Sequence, residues 1–127
     1  MTVRIFDAEL ELRDGAATAI TTTTAGAAVG IDLDVGIDFK VALNVTALDT
    51  ADADETYVIS VEVDTASGFA SAVEVGSLTV TAVGQFEIPL SSKWVTDLEA
   101  AADFIRVVAT LGGTTPSLTY GAFLVPA

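Results

Sequence analysis

The stretch Phe39-Lys40-Val41-Ala42-Leu43-Asn44-Val45-Thr46 decides the fold. Phe39, Val41, Leu43 and Val45 recur at every second position, with Lys40, Ala42, Asn44 and Thr46 between them. A period of two puts the first set on one face of a strand and the second on the other, whereas a helix would scatter both. The pattern continues outward. Tyr57, Ile59, Val61 and Val63 alternate with Ser60 and Glu62, Val73 and Val75 with Glu74, and Leu78 and Val80 with Thr79 and Thr81. Phe86 and Ile88 flank Glu87; Ala8, Leu10 and Leu12 alternate with Glu9 and Glu11. Phe104, Ile105, Val107 and Val108 form a denser run, and Leu118, Tyr120 and Leu124 close the series. Each segment buries one face and wets the other, as antiparallel sheets do. Thr21-Thr22-Thr23-Thr24 is a β-branched run with no helical preference.

Turn residues separate the segments. Asp14-Gly15 ends the first; Gly26, Gly30 and Gly36 punctuate the next; 49–55 is an acidic loop; Ala66-Ser67-Gly68 breaks after Asp64. Gly76 and Gly84 mark further bends, and Gly112-Gly113 with Pro116 makes the last tight connection. Eight or nine strands at this spacing predict an all-β, antiparallel sandwich or barrel. One segment departs from the pattern. Residues 91–102 offer Ser92 as an N-cap and Trp94 and Leu98 at i,i+4, which predicts one short helix or helical turn near 92–102. Trp94 is a binding anchor or a core residue, and the usual burial of tryptophan favours the core.

The chain has 127 residues, 51% of them hydrophobic, which predicts a single domain over 1–127 with a core of its own. It contains no histidine and no cysteine. A Ser-His-Asp triad, a cysteine nucleophile, a thiolate zinc site and a histidine general base are therefore excluded. Eighteen acidic residues face five basic ones, for a net charge of −13. Phosphate backbones and anionic lipid repel such a chain. Arg4, Arg13, Lys40, Lys93 and Arg106 are dispersed rather than clustered, so no nucleic-acid or membrane partner is expected. No run approaches the roughly 20 apolar residues of a membrane span. Asp7, Glu9 and Glu11 stand where the apolar core of a signal peptide would lie.

Candidate chemistry is confined to carboxylates. Asp64-Thr65-Ala66-Ser67-Gly68 resembles the Asp-Thr-Gly loop of aspartic proteases, and Asp49-Thr50-Ala51 echoes it. The two lie too close in sequence to come from two lobes, and an Asp before small residues is ordinary turn chemistry. Asp32, Asp34 and Asp38, and Asp49, Asp52, Asp54 and Glu55, are ligand types for calcium. Asp32-x-Asp34 begins like an EF-hand loop, but the downstream Gly and Glu are missing at the required spacing. A glycosidase pair has nothing in its favour. Asn44-Val45-Thr46 matches a glycosylation sequon inside a strand. The reading is no enzyme, no metal and no cofactor.

The order of segments carries a resemblance. Phe6-Asp7-Ala8-Glu9-Leu10-Glu11-Leu12-Arg13-Asp14-Gly15 is followed by a small-residue strand at 17–24, then Gly30-Ile31-Asp32-Leu33 and the long strand at 39–46. The strand at 57–64 leads into Ser67-Gly68-Phe69-Ala70-Ser71-Ala72; after 85–90 come Phe104-Ile105-Arg106-Val107 and 117–125. This order, over roughly residues 6–125, resembles the small jelly-roll cement (decoration) proteins of tailed bacteriophage capsids, and Phe104-Ile105-Arg106-Val107 before the final hairpin is its most specific part. The resemblance implies an antiparallel β jelly roll and a homotrimer that clamps major capsid proteins on the outer surface of the virion after synthesis in the bacterial cytoplasm. Residues 1–6 would be a loose or edge-covering arm, with Val3, Arg4 and Ile5, and also Trp94, as candidate oligomer or capsid contacts. Alternatives are another assembled phage component, such as a tail or head–tail completion protein, and a carbohydrate-binding β-sandwich module. The last would need an exposed aromatic platform drawn from Trp94, Tyr57 and Tyr120.

Overall fold

Alternating segments become strands because their apolar faces can leave water only against one another. The structure, a computed structural model, describes residues 11–31 and 38–126. In chain order it contains β1 (Glu11–Arg13), β2 (Thr24–Ala25), β3 (Val29–Gly30), β4 (Asp38–Leu48), β5 (Thr56–Asp64), β6 (Val73–Thr79), β7 (Gly84–Ser91), α1 (Ser92–Leu98), β8 (Phe104–Gly112) and β9 (Leu118–Pro126). One sheet has the order β1-β9-β4-β7; the other has β2-β8-β5-β6, with β3 also on β8. Every pairing is antiparallel.

The pairs are nested. β5 pairs with β6, β4 with β7, β2 with β8 and β1 with β9, so the chain resembles a long hairpin folded at β5–β6 and rolled into two sheets. That topology is the jelly roll. Its core is the interior that both sheets share. Phe39, Val41, Leu43 and Val45 of β4 lie in it with Tyr57, Ile59, Val61 and Val63 of β5 and Ile105 and Val107 of β8. Burying one such side chain is worth about 1.5–3 kcal/mol.

Several local expectations are revised. The strand expected over 17–24 is reduced to β2 and a lone bridge between Ile20 and Leu118. Its backbone is engaged elsewhere: Ala16 and Ala17 donate to Asp14, and Arg13 Nη2 donates to the Thr18 carbonyl. Gly76 is no bend but an interior residue of β6, where a Cβ would stand 3.0 Å from Ile88. The helix begins after Ser91, not Ser92: the Ser91 hydroxyl accepts from the Trp94 N–H, and the helix stops at Glu99 rather than continuing to 102. Trp94 is not in the core but 52% exposed. Val95, its neighbour, takes the inward position with no exposure. The segments at 1–10 and 32–37, including the expected arm, lie outside the described residues.

The two sheets are tied together where β1 meets the chain after β2. The Ala27 N–H donates to the Leu12 carbonyl at 2.9 Å, and the Gly26 N–H to the Val107 carbonyl at 2.7 Å. A Cβ on Gly26 would stand 2.4 Å from the Leu12 oxygen, a backbone atom with no room to retreat. Gly26→Ala should therefore cost about 1–3 kcal/mol, the range for overpacking. A urea midpoint equal to that of the parent chain would contradict this reading of the crossing.

Candidate functional site

The carboxylates singled out in the sequence do not converge. Asp49 precedes β5 and Asp64 ends it. Asp49 sits against the Tyr57 hydroxyl near the start of β5, and the strand from Tyr57 to Asp64, at about 3.3 Å per residue, separates the two by roughly 20 Å. They cannot share a proton within one chain. Asp64 is instead a buried organiser of the loop that follows. Its Oδ1 accepts from the Thr65 N–H at 2.6 Å, and its Oδ2 from the Ser71 N–H at 3.0 Å. The Ser71 amide foremost, then that of Thr65, holds its carboxyl below the usual aspartate range against the opposing effect of burial. Asp38 is exposed at the start of β4, while Asp32 and Asp34 lie outside the described residues.

The 49–55 loop does form a cluster. Carboxylate oxygens of Asp52, Asp54 and Glu55 lie within 4.8 Å of one another. Each already serves the fold. Asp54 accepts from the Thr114 N–H at 3.0 Å and from its hydroxyl, and Asp52 accepts from the Thr115 hydroxyl. Glu55 accepts from the amides of Asp52 and Asp54 at 2.9 and 3.1 Å. The Thr114 hydroxyl is the main reason the Asp54 carboxyl sits low. Tyr57 completes the clasp from below: its hydroxyl donates to the Asp49 carbonyl and accepts from the Ser117 N–H. The acidic loop is thus laced to the β8–β9 connection. Gly113, at φ +98°, permits the contact, since a Cβ there would stand 2.6 Å from the Asp54 carbonyl oxygen.

All four basic side chains among the described residues are engaged. Lys40 pairs with Glu87 at 3.0 Å, Lys93 with Asp97 at 2.8 Å and Arg106 with Glu62 at 2.8 Å. Arg106 also stacks over Phe69, 4.3 Å from the ring centre. Arg13 donates to the carbonyls of Tyr120 and Thr18. Phe104-Ile105-Arg106-Val107 divides accordingly. Ile105 and Val107 are core, and Arg106 forms a polar brace on the other face of β8.

The surface feature that remains is apolar. Among the described residues, the large exposed hydrophobics are Val83, Trp94 and Leu98. Trp94 and Leu98 are one helical turn apart on α1, so they share a face. Trp94 is exposed yet fixed. Its indole N–H donates to the Val75 carbonyl at 2.7 Å. β6 is an edge strand, and its register slips between Val61 and Glu62, so Val75 is the extra residue of a bulge. The indole satisfies a carbonyl the ladder leaves over and covers part of a free edge. Of the contacts expected from the sequence, Trp94 is therefore presented to solvent, and Val3, Arg4 and Ile5 lie outside the described residues. The other two aromatics of the carbohydrate-platform reading, Tyr57 and Tyr120, are buried. The sequence pairing of Trp94 with Leu98 signalled the shared face; nothing local signalled that it would point outward. No helix among the described residues is long and apolar enough to cross a membrane.

Comparisons of the chain with family models, curated proteins and solved structures returned no match.

Two outcomes follow from this geometry. Because Asp64 is held below its unfolded value, its contribution to stability is present above about pH 4 and is lost as pH falls through its own lower value. Asp64→Ala should lower the thermal midpoint at pH 7, by an amount that shrinks in acid. An unchanged midpoint at pH 7 would show that the loop does not need it. Trp94 is the single tryptophan. Its fluorescence should resemble that of a solvated indole, and its ratio of caesium to iodide quenching should exceed that of free tryptophan, since Glu74 next to the bonded Val75 and Glu99 at the helix end attract cations. A blue-shifted, quencher-insensitive emission would contradict its exposure.

Proposed function

We propose that this chain is a structural virion protein that decorates the outer surface of a tailed-phage capsid and, as a homotrimer, cements neighbouring major capsid proteins. The supporting observation is that the segments carrying the resemblance, in their order, supply the long strands of one jelly roll. The strand at 39–46 lies in β4, 57–64 in β5, 85–90 in β7, 104–107 in β8 and most of 117–125 in β9. Jelly rolls serve viral capsids and lectins alike, so function has to be argued from surface chemistry. A lectin reading is short of aromatics, because Tyr57 and Tyr120 are in the core and Trp94 stands alone. The basic side chains of the described residues are already paired or bonded, which disfavours a nucleic-acid partner.

The trimer rests on the resemblance alone. The chain blunts the free edges at β6 and β7 itself. The indole of Trp94 covers the bulge in β6, and the edge strand β7 carries Pro89, which has no N–H to offer.

The decisive experiment mixes the purified chain with undecorated heads of its phage and measures co-sedimentation together with the temperature of particle disruption. Binding with a raised disruption temperature is expected, and added salt should weaken it modestly, because exposed ion pairs contribute only about 0–1 kcal/mol each. Failure to co-sediment, or binding that leaves the particle no more stable, would end the cement reading.

A further inference from the structure

The exposed face of α1 combines three properties seldom found together on a solvated surface. It is apolar, since Trp94 and Leu98 are 52% and 43% exposed on one side of a single helical turn. It is rigid, because the indole is bonded to Val75, Val95 is anchored in the core, and Ser91 caps the amide of Trp94. Its surroundings are acidic. Glu74 adjoins the bonded carbonyl along β6, Asp97 lies in the last turn of the helix and Glu99 is its C-cap. Lys93, the nearby cation, is already held by Asp97.

The acidic end is itself informative. Helix C-termini favour cations, and α1 has no basic residue in its last turn. A free helix would gain from a Lys or Arg there. Its absence leaves Glu99, which pairs with no cation among the described residues, available to a positive group supplied from outside, whereas Asp97 is already held by Lys93. A fixed aromatic beside a desolvatable leucine is the composition of a binding hot spot, and fixing it beforehand lowers the entropic cost of association.

We propose that Trp94 and Leu98 are the apolar anchor by which this chain docks on its partner, and that the partner presents an apolar pocket rimmed by Lys or Arg. This rests on the capsid reading above and names its contact: the pocket belongs to the major capsid protein. A second copy is a poor occupant whichever of its faces it offers, because every basic side chain among its described residues is already paired or bonded, leaving a chain of net charge −13 little to set against Glu74 and Glu99. Two side chains cover far less than the ~800 Å² per partner of a stable interface, so they form its centre and the acidic residues form part of its rim.

The test compares the parent chain with Leu98→Asp, Trp94→Ala and Glu99→Lys in binding undecorated heads. Unchanged circular dichroism spectra and sedimentation establish that each variant is folded. Leu98→Asp is exposed in the free chain and should fold normally, yet bind at least tenfold more weakly. Trp94→Ala should lose as much or more. Glu99→Lys should bind several-fold more weakly at low salt, with the difference vanishing at high salt. If the parent binds heads and folded Leu98→Asp binds equally well, the anchor is wrong and the cement reading stands. If the parent does not bind heads, both fall. If Leu98→Asp instead abolishes self-association of the parent, the face is a seam between copies and the proposal is overturned.

Discussion

The central strands β4 and β5 each turn one face into the same interior, and the remaining elements are arranged around that burial. Val41, Leu43 and Val45 on one sheet, and Ile59, Val61 and Val63 on the other, are almost without exposure. Neither sheet could keep such a face in water. Covering both at once requires the strands to be distributed between two layers, and nested pairing around β5–β6 does so without crossing connections. Sandwiches of this kind are dominated by contacts distant in sequence, so little of the fold can form locally before the whole assembles.

Burial of the faces leaves the ends and edges to be dealt with by polar groups. At one end Tyr57, Asp52 and Asp54 bind the β8–β9 connection to the acidic loop. At the end of β5, Asp64 gathers the amides of the loop that follows. Beside β6, Trp94 meets the carbonyl freed by a bulge. Where β1 meets β2, a glycine lets one backbone lie directly against another. These devices draw on the few functional groups available to a chain without histidine or cysteine. They explain why its carboxylates, which looked like candidate chemistry, are largely absorbed by the fold.

What is left over is a surface. Among the described residues the cations are already paired or bonded, and Trp94 and Leu98 form a fixed apolar face on a short helix, a combination suited to association. The helix lies beside β6 and next to β7, at the border of the two sheets, where it can be offered outward without disturbing the core. A jelly roll so arranged is a stiff platform, and a stiff platform is what a cementing role between large neighbours would require.

Alternation at 39–46 and 57–63 was enough to establish strands, their inward faces and hence a two-layer β fold, because period two is a local property of the backbone. Turn residues located most connections for the same reason, as did the Trp94–Leu98 spacing for the helix. Other features could not be read locally. Gly76 is a glycine because Ile88 arrives from the opposite sheet, not because the chain bends. Residues 17–24 have strand-forming composition, but Arg13 and Asp14 take up backbone groups that a ladder would need. Asp49 and Asp64 look like a repeated motif until the length of β5 separates them. Trp94 has the composition of a core residue, yet Val95 occupies the inward position and an unpaired carbonyl on β6 holds the indole at the surface. The sequence by itself determined which residues must be hidden, since that depends on each side chain's own affinity for water. The tertiary structure alone decided which polar groups would be consumed in hiding them, since that depends on which backbone atoms the folded sheets leave without partners.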